Sequence, residues 1–354
     1  MATLGLGRGL SWDPGPGWLA TLVFVWVILL MFWCAFGVIE RAEHLAESLG
    51  EPLGTLILTI SIVTIEVGLI SAVMLGGGAN PAVGRDTMFA VVMIVLNGVV
   101  GLALLVGGLR HHEQSYNLPG ALAYLIVIIP LAVIALVLPR FTTTTDAGTL
   151  STGQAIAFAL CTLVLYGIFL AVQTGRHRGF FVEPGERVED MPHAGGVPHD
   201  PAWRAGVKRD TILLVATVLP IVLLSKTLGI ILDRGLVEAD APLALGGLLI
   251  AMIIFTPEGV SALKAAYRNE IQRMVNLCLG ACLSTVGLTV PAVLTIGLVT
   301  GEDVVLGLDG TGIVLLTLTL ILSMVTFSGS RTTVLEGAVH VVVFLIFLVL
   351  IFSP

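Results

Sequence analysis

Apolar and polar stretches alternate along the whole chain, giving ten apolar runs separated by short segments rich in Gly, Pro and charge. The runs lie near 18–39, 53–75, 87–109, 118–138, 151–173, 210–232, 243–265, 272–299, 311–329 and 332–352. A run of about twenty residues matches a helix crossing the hydrocarbon core, whereas barrel strands alternate faces over about ten residues. The pattern therefore predicts an all-α integral membrane protein of ten transmembrane helices. Lys226 interrupts the sixth run three-quarters of the way along, close enough to its end for the stem to reach toward the interface. The longest polar stretch, Gln173 to Arg209, parts the runs five and five. The expected organisation is a first repeat over 1–173, a hinge loop over 174–209 and a second repeat over 210–354.

Composition agrees with this pattern. With 56% hydrophobic and 12% charged residues and a mean hydropathy of +1.02, the chain lacks the polar shell of a soluble domain. The net charge of −7 resides in the connections and forms no basic patch, which leaves no footprint for a nucleic-acid partner. Cys34, Cys161, Cys278 and Cys282 lie in apolar stretches at spacings that match no zinc motif or disulfide framework, and read as small core residues. No small-residue cleavage site separates the first run from the acidic stretch Glu40 to Glu51, so that run reads as a span and the acidic stretch as a solvated loop.

If the spans alternate in direction, the connections after odd-numbered spans share one side. That side collects Arg41, Arg110, Arg176, Arg178, Arg187, Arg204, Lys208, Arg209, Lys264, Arg268, Arg273 and Arg331, against Arg8, Arg85, Arg140 and Arg234 on the other. This bias places the 174–209 loop in the cytoplasm and both termini outside a bacterial-type inner membrane. Five spans per half then invert the second half relative to the first, an arrangement that puts a transport site between the repeats at mid-membrane.

Internal similarity points the same way. Thr64-Ile65-Glu66-Val67-Gly68, deep in the second run, has a counterpart in Thr256-Pro257-Glu258-Gly259-Val260, deep in the seventh. In one register Asn97 and Gly101 match Asn276 and Gly280; in another, counted from the glutamates and allowing for the longer loop at Gly76 to Pro81, Asn97 stands opposite Ser284 or Thr285.

A carboxylate in mid-membrane costs several kcal/mol on insertion scales, so Glu66 and Glu258 are functional candidates by default. Brought together, two carboxylates in low dielectric cannot both remain ionised without a cation between them. Bound cation and bound proton then compete to neutralise the same oxygens. Calcium suits two carboxylates supplemented by neutral oxygens. Candidates for the latter are Thr59 and Thr55 on the face of Glu66, the polar residues Asn97, Ser284, Thr285 and Asn276, and Thr256 beside Pro257. Pro257 removes a helix hydrogen bond, disfavours helical geometry at Thr256 and frees a carbonyl near residue 253. Glu336 and His340, one turn apart, form either a proton relay or a helix-stabilising pair.

In these residues the chain resembles the calcium/cation antiporter superfamily, and in particular its bacterial ChaA-like calcium/proton exchangers. The resemblance runs from Glu51 through Gly108 and from Phe255 through Pro291, including Pro257-Glu258-Gly259 and Arg268-Asn269-Glu270-Ile271-Gln272-Arg273. It implies a five-plus-five inverted fold with Glu66 and Glu258 as the central cation- and proton-binding carboxylates. It also implies polar partners at Asn97 in the third helix and at Gly280, Ser284 and Pro291 in the eighth, which favours the second register. The chain departs from the wider superfamily by carrying Thr-Ile and Thr-Pro before its glutamates where many members carry Gly-Asn-Ala. Members of this branch are associated with sodium or potassium exchange as well as calcium. The expected function is thus calcium/proton antiport without a resident cofactor, with sodium or potassium/proton antiport through the same site as the alternative. An intramembrane enzyme is a remote third, since the runs hold no paired-His motif, Ser-His pairing or Asp-rich metal signature.

Overall fold

The structure is a computed structural model that describes residues 17–49, 53–74, 81–146, 148–175, 177–184, 201–301 and 303–353. Residues 185–200 of the hinge, Glu51, and the side chains of Glu47, Thr55 and Lys226 lie outside the described residues.

Twelve α-helical segments follow one another: α1 Gly17–Leu49, α2 Leu53–Met74, α3 Val83–Met93, α4 Val100–His111, α5 Leu118–Ala132, α6 Thr152–Thr174, α7 Pro201–Glu238, α8 Ala244–Tyr267, α9 Ile271–Ser284, α10 Val290–Thr300, α11 Gly310–Thr326 and α12 Val334–Phe352. Two pairs are single rods. A π-helical turn, Ile94–Val99, joins α3 to α4, and another, Thr285–Thr289, joins α9 to α10. Among the described residues eight rods are long and apolar enough to cross a membrane, and Thr59–Ser71 and Gly310–Thr326 are shorter apolar helices.

The apolar surface faces outward as well as inward, as a bilayer requires. Along α1, Leu22, Val25, Trp26, Leu29, Trp33 and Phe36 form an exposed stripe at helical spacing. Ile212, Val215, Leu219 and Leu223 do the same on α7. These two helices pack side by side at the rim, α2 packs on both, and α1 also reaches α8. The rods α3–α4 and α9–α10, together with α8, are the most enclosed.

Local chemistry sets several helix starts. Ser151 and Gln154 form a capping box at α6, Thr333 and Glu336 another at α12, and Asp309 accepts from the Gly312 N–H at 2.7 Å to open α11. Glu336 is therefore spent on its own helix end and does not touch His340 through a hydrogen bond.

Four expectations need correction. The acidic stretch after the first run is not a loop at Glu40 and Glu43, because α1 continues to Leu49 and pairs with α7: Arg41 lies 3.8 Å from Asp210, and Trp203 donates to the Ser48 carbonyl at 3.2 Å. Cys161 is exposed on α6, whereas Cys34, Cys278 and Cys282 are buried free thiols. The architecture is not purely helical either: β1 Gln114–Ser115 pairs antiparallel with β2 Arg331–Thr332, tying two connections together. Periodicity cannot reveal a two-residue ladder. The last part of the 174–209 connection is also helical, since α7 starts at Pro201.

Candidate functional site

Glu66 in α2 is 0% exposed and Glu258 in α8 is 7% exposed, and the two lie within Coulombic reach of each other. Each sits mid-helix, where the backbone spends its own hydrogen bonds and leaves the carboxylates to find partners elsewhere. One oxygen of Glu66 accepts from the Thr285 hydroxyl at 3.0 Å. The Thr289 hydroxyl stands beside the same carboxylate, buried and without a hydrogen-bond partner. The other Glu66 oxygen, Oε1, and Glu258 Oε2 are likewise buried and unpartnered. Three orphaned oxygens at one place are unusual, since buried polar atoms are nearly always satisfied. This arrangement is a ready set of ligands for a positively charged or proton-bearing partner.

Thr285 and Thr289 stand at the two ends of the second π turn, four residues apart, and so aim two hydroxyls at Glu66 from one helix. Cys278 and Cys282, one turn apart on α9, flank the pair, the first near Glu258 and the second near Glu66. Among the described residues no three or more His, Cys, Asp or Glu are placed so that they could hold a metal ion together. A cation held here would therefore rest on two carboxylates and neutral oxygens.

The other predicted residues divide. Thr59 faces the Tyr166 hydroxyl of α6 rather than the carboxylates. Thr256 turns back to the Met252 carbonyl at 2.6 Å, and Ser284 to the Ala281 carbonyl at 3.0 Å. The expected departure from helical geometry at Thr256 is absent: α8 runs unbroken through Pro257, although the Ile253 carbonyl loses the N–H that a residue other than proline would supply. Asn97 is buried in the first π turn, and its amide is engaged with Thr319 and His340. Asn276 donates to the Phe181 carbonyl at 2.6 Å and accepts from Gln272, so it anchors the start of the hinge. Thr289 went unremarked in the sequence. The signal was available: Thr285 and Thr289 stand four apart in an apolar run, one above the other on a helix face.

A family model described as sodium/calcium exchanger protein matches residues 19–175 and 211–353. The putative ionic transporter y4hA of Sinorhizobium fredii is 40% identical over 92% of this chain and 87% of its own length. The sodium-potassium/proton antiporter ChaA of Escherichia coli is also 40% identical, over 90% of this chain and 86% of its own. The structure of YfkE superposes with a TM-score of 0.75 at 17% identity, covering 95% of this chain and 93% of that one.

Proposed function

Because this chain belongs to the sodium/calcium exchanger protein family, we propose that it is a cation/proton antiporter in which Glu66 and Glu258 bind the cation and the protons alternately. The observation that carries the reading is the cluster of unpartnered buried oxygens on Glu66, Glu258 and Thr289. A carrier that reorients only when this pair is neutralised exchanges cation for protons without a covalent step, which makes it a carrier and not an enzyme.

Calcium is the ion we assign. One divalent charge balances two carboxylates, and calcium accepts a ligand set of carboxylates, hydroxyls, carbonyls and water with irregular geometry. Glu66, Glu258 and Thr289 supply its first ligands, Thr285 orients Glu66, and the Ile253 carbonyl lies one turn before Glu258 on the same helix. Sodium or potassium is the second reading, favoured by the name of the Escherichia coli relative; in that case the pair takes monovalent ions in place of one divalent.

Ten transmembrane helices in two inverted repeats are the architecture we assign to this site. Its support is the matched packing: α1 lies on α7, α4 packs on α12 as α10 packs on α6, and each central rod carries a π turn. We place the hinge loop in the cytoplasm and the termini outside an inner membrane, on the distribution of Arg and Lys.

The test is collapse of an imposed pH gradient in proteoliposomes on addition of calcium, sodium or potassium. Calcium is expected to collapse it. A response to sodium or potassium alone would change the ion and keep the mechanism, and silence with all three would overturn proton coupling. In the same assay Thr285→Val is expected to raise the half-saturating cation concentration about tenfold, because the hydrogen bond to a charged oxygen that orients Glu66 is worth about 1.5 kcal/mol. An unchanged value would remove Thr285 from the site.

A further inference from the structure

His340 is fully buried in α12, and the two-glutamate mechanism makes no use of it. Its Nδ1 lies 3.1 Å from Asn97 Oδ1 and its Nε2 lies 3.0 Å from the Thr326 hydroxyl of α11. Asn97 Nδ2 donates to the Thr319 hydroxyl at 2.8 Å, and that hydroxyl donates to the Met93 sulfur at 3.4 Å. With the amide oxygen toward the ring, only one tautomer satisfies every atom. Thr326 donates to Nε2, Nδ1–H donates to Asn97, Asn97 donates to Thr319, and Thr319 donates to Met93. Each link runs the same way.

This chain clamps α11 and α12 onto the first π turn, in which Asn97 is the fourth residue. The same turn touches the carboxylate helix. Val99, two residues further on, packs on Gly259, where an added Cβ would stand 3.2 Å from the valine methyl. Gly259 directly follows Glu258. Among the described residues the one charged group near the ring is Glu336, a turn earlier on α12 and committed to its capping box. The elements packed on the ring otherwise present the hydroxyls of Thr319 and Thr326, the amide of Asn97 and the backbone of Leu96, the last two from the same π turn.

We infer that His340 is a positioning residue for the cation site: through Asn97 it fixes the π turn that supports Glu258, and so sets the apparent affinity for the cation. Asn97 acts here as the middle of a clamp and not as a ligand. The inference rests on the two-glutamate reading above.

The test measures half-saturating concentration and maximal rate separately in proteoliposomes, with calcium as probe and sodium as the second. His340→Leu, which keeps bulk and removes both ring nitrogens, is expected to raise the half-saturating concentration about tenfold, with maximal rate within about twofold of wild type. His340→Asn, which retains a short amide donor toward Asn97, is expected to recover most of the affinity. Adding Asn97→Leu to His340→Leu is expected to have little further effect, because both cut the same link. Wild-type affinity in His340→Leu, or full additivity in the double variant, would overturn the inference. If His340→Leu does not fold, Thr319→Val releases the far end of the Asn97 amide, and wild-type affinity there is equally fatal. Glu258→Gln run alongside separates the two claims: exchange retained in that variant sinks the two-glutamate reading, whereas exchange lost there with His340→Leu unaffected sinks only the clamp.

Discussion

Glu258→Gln and Glu66→Gln are each expected to lower exchange by at least about two orders of magnitude while leaving the protein folded and inserted. The amide keeps the shape of the carboxylate but neither titrates nor carries charge, so the pair can no longer hold a divalent cation or trade it for protons. Stability should move the other way. Each carboxylate has a buried oxygen without a partner, and removing an uncompensated buried charge relieves a desolvation cost. The melting temperature of the cation-free variant in detergent should equal or exceed that of wild type, and the stabilisation that calcium gives wild type should vanish, since binding to the folded state is its source. A variant that melts early and still exchanges would show these carboxylates to be structural.

Gly247→Ala is expected to damage folding and exchange together, although it adds only one methyl group away from the carboxylates. Gly247 lies on α8 where that helix crosses α3, and a Cβ there would stand 2.7 Å from the Asp86 carbonyl carbon and 2.8 Å from the Thr87 nitrogen. Both are backbone atoms, so no side chain can swing aside and the helices must part. Overpacking of this kind costs about 1–3 kcal/mol, and here it also displaces the helix that carries Glu258. Melting temperature and exchange should fall together. Gly167→Ala on α6 is the control, since nothing lies within 4 Å of its would-be Cβ; its melting temperature should stay level or rise slightly. Equal losses in both variants would mean that general helix chemistry, and not the α3–α8 crossing, is responsible.

The spans and the two glutamates were legible in the sequence because the bilayer imposes strong one-dimensional rules. A crossing helix needs about twenty apolar residues, and a carboxylate in such a stretch is costly enough to stand out. The run at 53–75 and α2, Leu53–Met74, agree within a residue. Helix ends were less legible. The run at 18–39 became a helix to Leu49, and that at 210–232 became Pro201–Glu238, because outside the hydrocarbon layer a helix continues on propensity and on ion pairs such as Arg41 with Asp210, to which apolar periodicity is blind.

The site divides in the same way. Sequence chemistry by itself determined which residues are expensive to bury and hence worth a role: Glu66, Glu258, Asn97, Thr285 and His340. Only the tertiary structure decided what each one meets. Thr59, Thr256 and Ser284 carry the same hydroxyl as Thr285, and Asn276 an amide able to donate and accept, yet they turn to Tyr166, Met252, Ala281 and Phe181 while Thr285 alone of the five reaches Glu66. The reason is geometric. A polar side chain in a membrane helix bonds either its own preceding carbonyl or a neighbouring helix, and the choice depends on rotation about the helix axis. That rotation is set by how the helices pack against one another, and the π turns at Asn97 and Thr285 shift it locally.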